Sequence, residues 1–221
     1  MSGREDAVQF ACNELAWHGA LQLALKLHQP SIEGLTDDLL RDPHKFAEIG
    51  PGVAHLANHA RFKPNTDAGG YRNKTAMVYI VSVLETFLKE VCKECLSPPL
   101  AVGDAMFGEL LACIGRSGRI SQFDQADETK QVNLIRLIRN AIVHNRGKVP
   151  RDFWGNGAKP HDDATNYIQS WPLDYQAEFR KYYQPGNEVW LHIDKVVMPS
   201  VFCGIGFVQY MDRQMGLLAI M

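Results

Sequence analysis

The chain has 221 residues, 46% hydrophobic, 22% charged and 10% aromatic, and its 23 basic side chains nearly balance 25 acidic ones, giving a net charge of −2. That length and apolar content suit one soluble globular domain with a sizeable core and exclude a disordered chain. Near-neutral charge excludes a protein that binds nucleic acid through bulk positive charge, while leaving room for a local basic site.

The opening residues, MSGREDAVQF, are charged at once and show no apolar stretch before a small-residue cleavage site. No secretory signal is read there, and a cytoplasmic location is expected. Glu5–Leu27 carries apolar residues at steps of three and four, which predicts an amphipathic helix ended by Pro30. Ser31–Pro64 mixes short apolar pieces with glycines and prolines and allows short helices around Leu35–Leu40 and Val53–Phe62. His55 and His59 share a face of the second piece, but no third ligand lies nearby in sequence, so packing or surface roles outweigh a metal site. Lys74–Leu96 is the strongest helix signal, apolar over most of its girth in its first half and closed by Pro98-Pro99, and so it is expected at the centre of the fold.

Cys92 and Cys95 have CxxC spacing inside that helix without a second Cys or His pair, and five cysteines in all make an odd, thin set. Buried reduced thiols are the expectation. A short helix over Asp104–Ile114, capped by Asp104, and a long one over Asp127–Asn145, stopped at Gly147, follow. Together these four helices predict a mainly α-helical bundle completed by the terminal helices. Beyond it come a loop at Arg151–Pro160, a helix over Asn166–Tyr183 interrupted by Pro172, a short strand at Glu188–Ile193, and a final apolar helix at Asp194–Leu218. Trp154, Trp171, Tyr175, Tyr182 and Tyr183 are of the type that stacks single-stranded bases, although core packing is the commoner use. Gly204-Ile205-Gly206 lacks the third glycine and preceding strand of a dinucleotide fingerprint and reads as a close helix contact. The longest near-apolar run, Val196–Val208, is 13 residues, too short to cross a bilayer, so no membrane association is expected.

The chemistry concentrates in Val132–Gly147, VNLIRLIRNAIVHNRG. On a helix, Leu134, Ile135, Ile138, Ala141 and Ile142 share one face, and Arg136, Arg139, Asn140 and His144 lie on the opposite half. Between Lys130 and Arg151 no acid offsets six basic residues, so an anion would relieve the repulsion. Cleavage of RNA by its own 2′-hydroxyl needs a proton-transfer group, a fixed cation on the phosphorane oxygens and a polar group that holds geometry. His144, Arg139 and Asn140 are of the types suited to those roles in that order. The other reading is that Arg139 and His144 are solvated cations favoured near a helix C-terminus.

RNAIVH at the end of a long apolar helix, followed by Asn145-Arg146-Gly147, resembles the Arg-x4-6-His signature of HEPN domains, in which a polar residue often follows the arginine. The segment Val78–Val91, VYIVSVLETFLKEV, is similar to the central helix of the RiboL-PSP-HEPN branch, with Glu85 at the place of a mid-helix acid. The likeness covers about Lys74 to Gly147. With 12 arginines and 8 histidines, Arg-x4-His arises by chance roughly 0.4 times in such a chain, and about 0.02 times with Asn after the Arg.

The resemblance implies one all-helical domain that pairs as a homodimer with its two motifs forming a composite site. It implies a metal-independent endoribonuclease, without cofactor, that leaves a cyclic phosphate and works in toxin–antitoxin, phage-defence or RNA-processing systems, with an antitoxin or other protein as a further partner. Other members keep the fold without cleaving, as modules that bind RNA or protein. By that likeness Arg139, Asn140, His144 and, more loosely, Glu85 are the catalytic candidates. Arg136, Asn145, Arg146 and Lys148 are candidate RNA contacts because they extend the basic run. Glu85, on a heavily apolar helix, needs a partner; a bond to Arg136 or Arg139 and a role in orienting the motif are equal expectations.

Overall fold

A computed structural model describes residues 3–28, 30–31, 34, 68–96, 99–145, 147–149, 151–155, 164–183 and 195–218. Their seven α-helices are α1 (Gly3–Leu27), α2 (Ala68–Glu90), α3 (Phe107–Ser117), α4 (Asp127–His144), α5 (Ala164–Ile168), α6 (Leu173–Tyr182) and α7 (Val197–Leu218). The fold is mainly α, and no described helix is long and apolar enough to cross a membrane. The expected short helices at Leu35–Leu40 and Val53–Phe62, His55, His59, and the strand at Glu188–Ile193 lie outside the described residues.

Four long helices, α1, α2, α4 and α7, pack side by side around one core, with α2 and α7 each touching the other three. Ala11 and Leu15 of α1, Ile80, Leu84 and Phe87 of α2, and Phe207 and Met211 of α7 are all fully buried within it. From α4 the buried residues include Leu134, Ile135, Ile138, Ala141 and Ile142, the stripe expected from periodicity. The last helix therefore takes the bundle place that the sequence suggested for the short one. With only 11 residues, α3 lies outside the ring, against α2 and α4.

Close approach of α7 to its neighbours depends on small residues. A Cβ at Gly204 would meet Leu15 Cδ1 at 3.2 Å and Leu84 Cδ1 at 3.7 Å, and one at Gly19 would meet Val201 Cγ1 at 3.0 Å. At Gly206 it would meet nothing, so only the first glycine of the Gly-Ile-Gly stretch is a contact point. Arg4 with Asp212 (2.8 Å) and Arg213 with Glu128 (3.5 Å) tie α7 to α1 and α4 at the rim.

Element boundaries follow local chemistry. Gly103 takes a positive φ of 48° and puts Asp104 inside a turn, so Asp104 caps nothing and α3 starts at Phe107. There Glu109, at the third helical position, reaches back to accept the Met106 N–H at 2.8 Å. α2 ends in a π turn, Val91–Cys95, before the prolines, with Leu96 N–H donating to the Val91 carbonyl. Cys92 is buried there, and burial pushes the buried Cys203 thiol up to about 12, so Cys203 is not a reactive thiolate. Pro172 splits the segment expected as one interrupted helix and precedes α6, whose Phe179 anchors an aromatic cluster with Phe153, Trp154, Trp171 and Tyr183. Trp171 and Tyr183 are buried in it and serve packing.

Two outcomes test this packing. Gly204→Leu should cost about 1–3 kcal/mol by overpacking, whereas Gly206→Ala should be neutral or raise stability by up to ~1 kcal/mol, both read by denaturant melts. His18, half-buried on α1 beside the Tyr79 ring and near Glu14, has its pKa pushed down, chiefly by burial. The folded state therefore binds its proton less readily than the unfolded chain, so stability falls as pH drops below about 6.5. Thermal melts between pH 7.5 and 5.5 should show a smaller acid loss in His18→Gln than in the native chain.

Candidate functional site

The polar half of α4 is the floor of an open groove with a volume of about 1060 Å3. That is at the upper edge of the ~300–1,000 Å3 usual for small-molecule sites, and the groove is elongated along the helix. Arg136, Arg139, Asn140 and His144 all line it, joined from the floor by Lys130 and Asn133. From Lys130 to His144 the helix advances about 21 Å at 1.5 Å per residue. One wall is the start of α3, with Met106, Phe107 and Gly108, backed by Glu85 of α2. The other carries Asn166, Tyr167 and Gln169, in and just after α5.

Each wall is fixed by a specific bond. Glu85 accepts the Phe107 backbone N–H at 3.2 Å and pairs with Lys89 at 2.8 Å, so its carboxylate holds the first turn of α3 in place. Of the two equal expectations for Glu85, the bond to an arginine is not what the described residues show: its bonds go to Lys89 and the α3 backbone. Arg136 lies against that wall, for a Cβ at Gly108 would come within 3.2 Å of its Cδ. On the opposite side Gln131 Nε2 donates to the Ser170 carbonyl at 2.6 Å and pins the end of α5 onto α4.

The two motif arginines lean on neighbouring amides. Arg136 Nε donates to Asn133 Oδ1 at 3.3 Å, and Asn133 in turn donates to the Thr129 carbonyl at 3.2 Å. Arg139 Nη1 donates to Asn140 Oδ1 at 3.2 Å, while Arg139 Nε is buried with no hydrogen-bond partner among the described residues. A buried N–H of this kind costs about 1–3 kcal/mol until an acceptor reaches it. His144 is exposed at the far end of the helix. Beyond it Gly147, at φ 88°, turns the chain back so that its N–H donates to the Ala141 carbonyl at 2.9 Å.

Acid-free in sequence, the basic face nonetheless meets three carboxylates in space: Glu85, Glu109 and Asp124. Glu85 and Glu109 are engaged with backbone N–H groups of the α3 start, and Asp124 lies over Gly115 near the C-terminal end of α3, on the face that Arg136 meets at Gly108. Arg116 joins the groove as a fourth lining cation besides Lys130, Arg136 and Arg139.

Of the sequence-derived candidates, the fold brings Glu85, Arg136, Arg139, Asn140 and His144 to one groove. Asn145 is exposed and Lys148 half-buried in the turn after α4, and neither is among the groove-lining residues. Arg146 lies outside the described residues. Sequence reasoning missed Asn133, although it sits one heptad before Asn140 on the same face. It also missed Asn166 and Gln169, for which no local signal exists. Among the described residues no three His, Cys, Asp or Glu side chains converge as a metal site. No protein-family model, curated protein or solved structure matches this chain.

The wall bond can be tested directly. Glu85→Ala should destabilise the protein by about 0.5–2 kcal/mol, the usual worth of a helix N-terminal acceptor, and speed amide hydrogen exchange in the first turn of α3. Glu85→Gln, which keeps an acceptor oxygen, should lose markedly less.

Proposed function

We propose that the chain is a metal-independent endoribonuclease of the HEPN type, active as a homodimer whose two grooves join into a composite site. The observation that carries this reading is Arg139: a guanidinium on the groove floor whose buried Nε–H has no partner among the described residues, beside Asn140 and in the groove that His144 also lines. A phosphate oxygen satisfies that N–H and relieves the repulsion among the four lining cations.

In the proposed reaction the RNA 2′-oxygen attacks its neighbouring phosphorus as His144 takes the hydroxyl proton. The bond to the 5′-oxygen breaks, a proton reaches that oxygen, and a 2′,3′-cyclic phosphate remains. Arg139 stabilises the charge that builds on the phosphorane oxygens, and Asn140 holds the Arg139 fork in place. Arg136, braced by Asn133 and Gly108, contacts a flanking phosphate. The homodimer is supported by exposed Val143, which lies one turn beyond Arg139 and Asn140 on the same face, and by exposed Met106 on the groove rim. A toxin, phage-defence or RNA-processing setting follows from the same reading, with an antitoxin or other protein as the controlling partner.

The purified chain should cut total RNA in EDTA and leave cyclic phosphate ends. Arg139→Ala and His144→Ala should each lower the rate by roughly 10²–10⁴-fold, the worth of one charge-stabilising or proton-transfer group, while melting like the native chain. Equal activity in all three proteins overturns the assignment. Salt-sensitive RNA binding without product identifies a non-catalytic binding module in its place.

A further inference from the structure

The groove is chemically divided along its length. The end formed by the second half of α4 holds Arg136, Arg139, Asn140 and His144, the groups suited to phosphate. The other end, where α5 crosses the first half of α4, gathers carboxamides, Gln125, Asn166 and Gln169 next to Asn133, beside the charged Lys130, Arg116 and Asp124. Gln125, Asn166 and Gln169 are exposed, and within the described residues their amide groups have no intramolecular partner. Carboxamides add nothing to charge neutralisation. Each offers a donor and an acceptor side by side, the pattern that pairs with a nucleobase edge, as in bidentate contacts to adenine.

These amides also stand on a rigid mount, although α5 is only one and a half turns long. Tyr167 and Ile168 are buried between Asn166 and Gln169, so the backbone under the two amides is anchored in the core. Gln131 holds the Ser170 carbonyl at 2.6 Å, and Gln176 Nε2 bonds the carbonyls of Gln169 (3.1 Å) and Trp171 (2.7 Å). With the backbone fixed in this way only the two side chains have to be ordered on binding, which favours discrimination over loose adhesion.

We infer that this amide-lined end is a base-reading subsite, in which Asn166 and Gln169 select one nucleobase of single-stranded RNA a short distance from the cut. This rests on the endoribonuclease reading above. From Asn133 to His144 is about 16 Å along α4, so at ~3.4 Å per stacked nucleotide the selected base lies within about five nucleotides of the scissile phosphate. Recognition of unpaired bases by edge contacts is the usual route to sequence selectivity on RNA.

A randomised single-stranded RNA pool, cut in EDTA and sequenced at its new ends, tests the assignment. The native chain should show a roughly tenfold base preference at one position offset from the cut, the discrimination that a single amide–base pair supplies. The doubly substituted Asn166→Ala, Gln169→Ala chain should lose that preference and cut the pool several-fold more slowly. Asn166→Asp with Gln169→Glu, which keeps size but removes the N–H donors, should change which base is preferred. Both positions are exposed, so thermal melts of both variants should match the native chain. An offset preference that persists unchanged in both variants, or native cutting with no offset preference, overturns the base-reading subsite and leaves the nuclease reading standing. Absence of cutting by the native chain overturns both.

Discussion

Everything in the groove hangs on α4 being two-faced. Its buried stripe, Leu134, Ile135, Ile138, Ala141 and Ile142, locks the helix against α2 and α7, and burial of side chains of this kind is worth about 1.5–3 kcal/mol each for the larger ones. The opposite face carries arginines at i and i+3 with no acid from Lys130 to the end of the helix, and an Arg139 Nε–H that finds no acceptor among the described residues. Those features cost a few tenths of a kcal/mol for the like charges and about 1–3 kcal/mol for the orphaned donor. The core side outweighs them several-fold, so the helix holds a guanidinium in a condition it would not adopt in a free peptide. A group strained toward an acceptor and fixed by packing is what an anion site requires.

The second constraint is that the groove needs a wall, and the wall is a helix too short to stand alone. Eleven residues are marginal in water, so α3 depends on tertiary contacts and on satisfying its first N–H groups. Two carboxylates do this from different directions: Glu109 from within the helix and Glu85 from α2. Because Arg136 packs on Gly108 in that same turn, the acid that completes α3 also sets where a groove arginine lies. Glu85 thus connects to the motif through backbone geometry rather than through charge pairing.

What could be read from the sequence divides along that same line. The stripe of α4, the polar grouping of Arg136, Arg139, Asn140 and His144, and the stop at Gly147 are consequences of helical period and local backbone chemistry, and a single segment contains all the information needed. The membership of the bundle was less legible. The apolar patterns of α3 and α7 are both helical, and only length decides that the 22-residue helix fills the ring while the shorter one lies outside. Asp104 looked like a cap because a polar residue after glycine usually is one, but the left-handed turn at Gly103 spends it before the helix begins. Least legible were Asn166 and Gln169, which reach the site only because Tyr167 and Ile168 bury in a core made by other segments.

Net charge near zero is an average over a surface on which sign is sorted by depth and engagement. The carboxylates Glu85 and Glu109 that approach the α4 face direct their oxygens to backbone N–H groups, while the Arg139 donor stays unfilled. An anion entering the groove at the α3 start therefore meets Glu85 and Glu109 already occupied and a cation still short of an acceptor. The proposed chemistry sets one further requirement, because strand cleavage moves two protons, one off the attacking hydroxyl and one onto the leaving oxygen. With one histidine per motif, a single groove has one residue for two simultaneous tasks. His144, exposed near the end of α4 with Val143 beside it, stands where a second copy of the same face can bring the other. Dimerisation in this scheme is a stoichiometric consequence of the proton inventory, and it places the composite site at the end of the groove farthest from the amide wall.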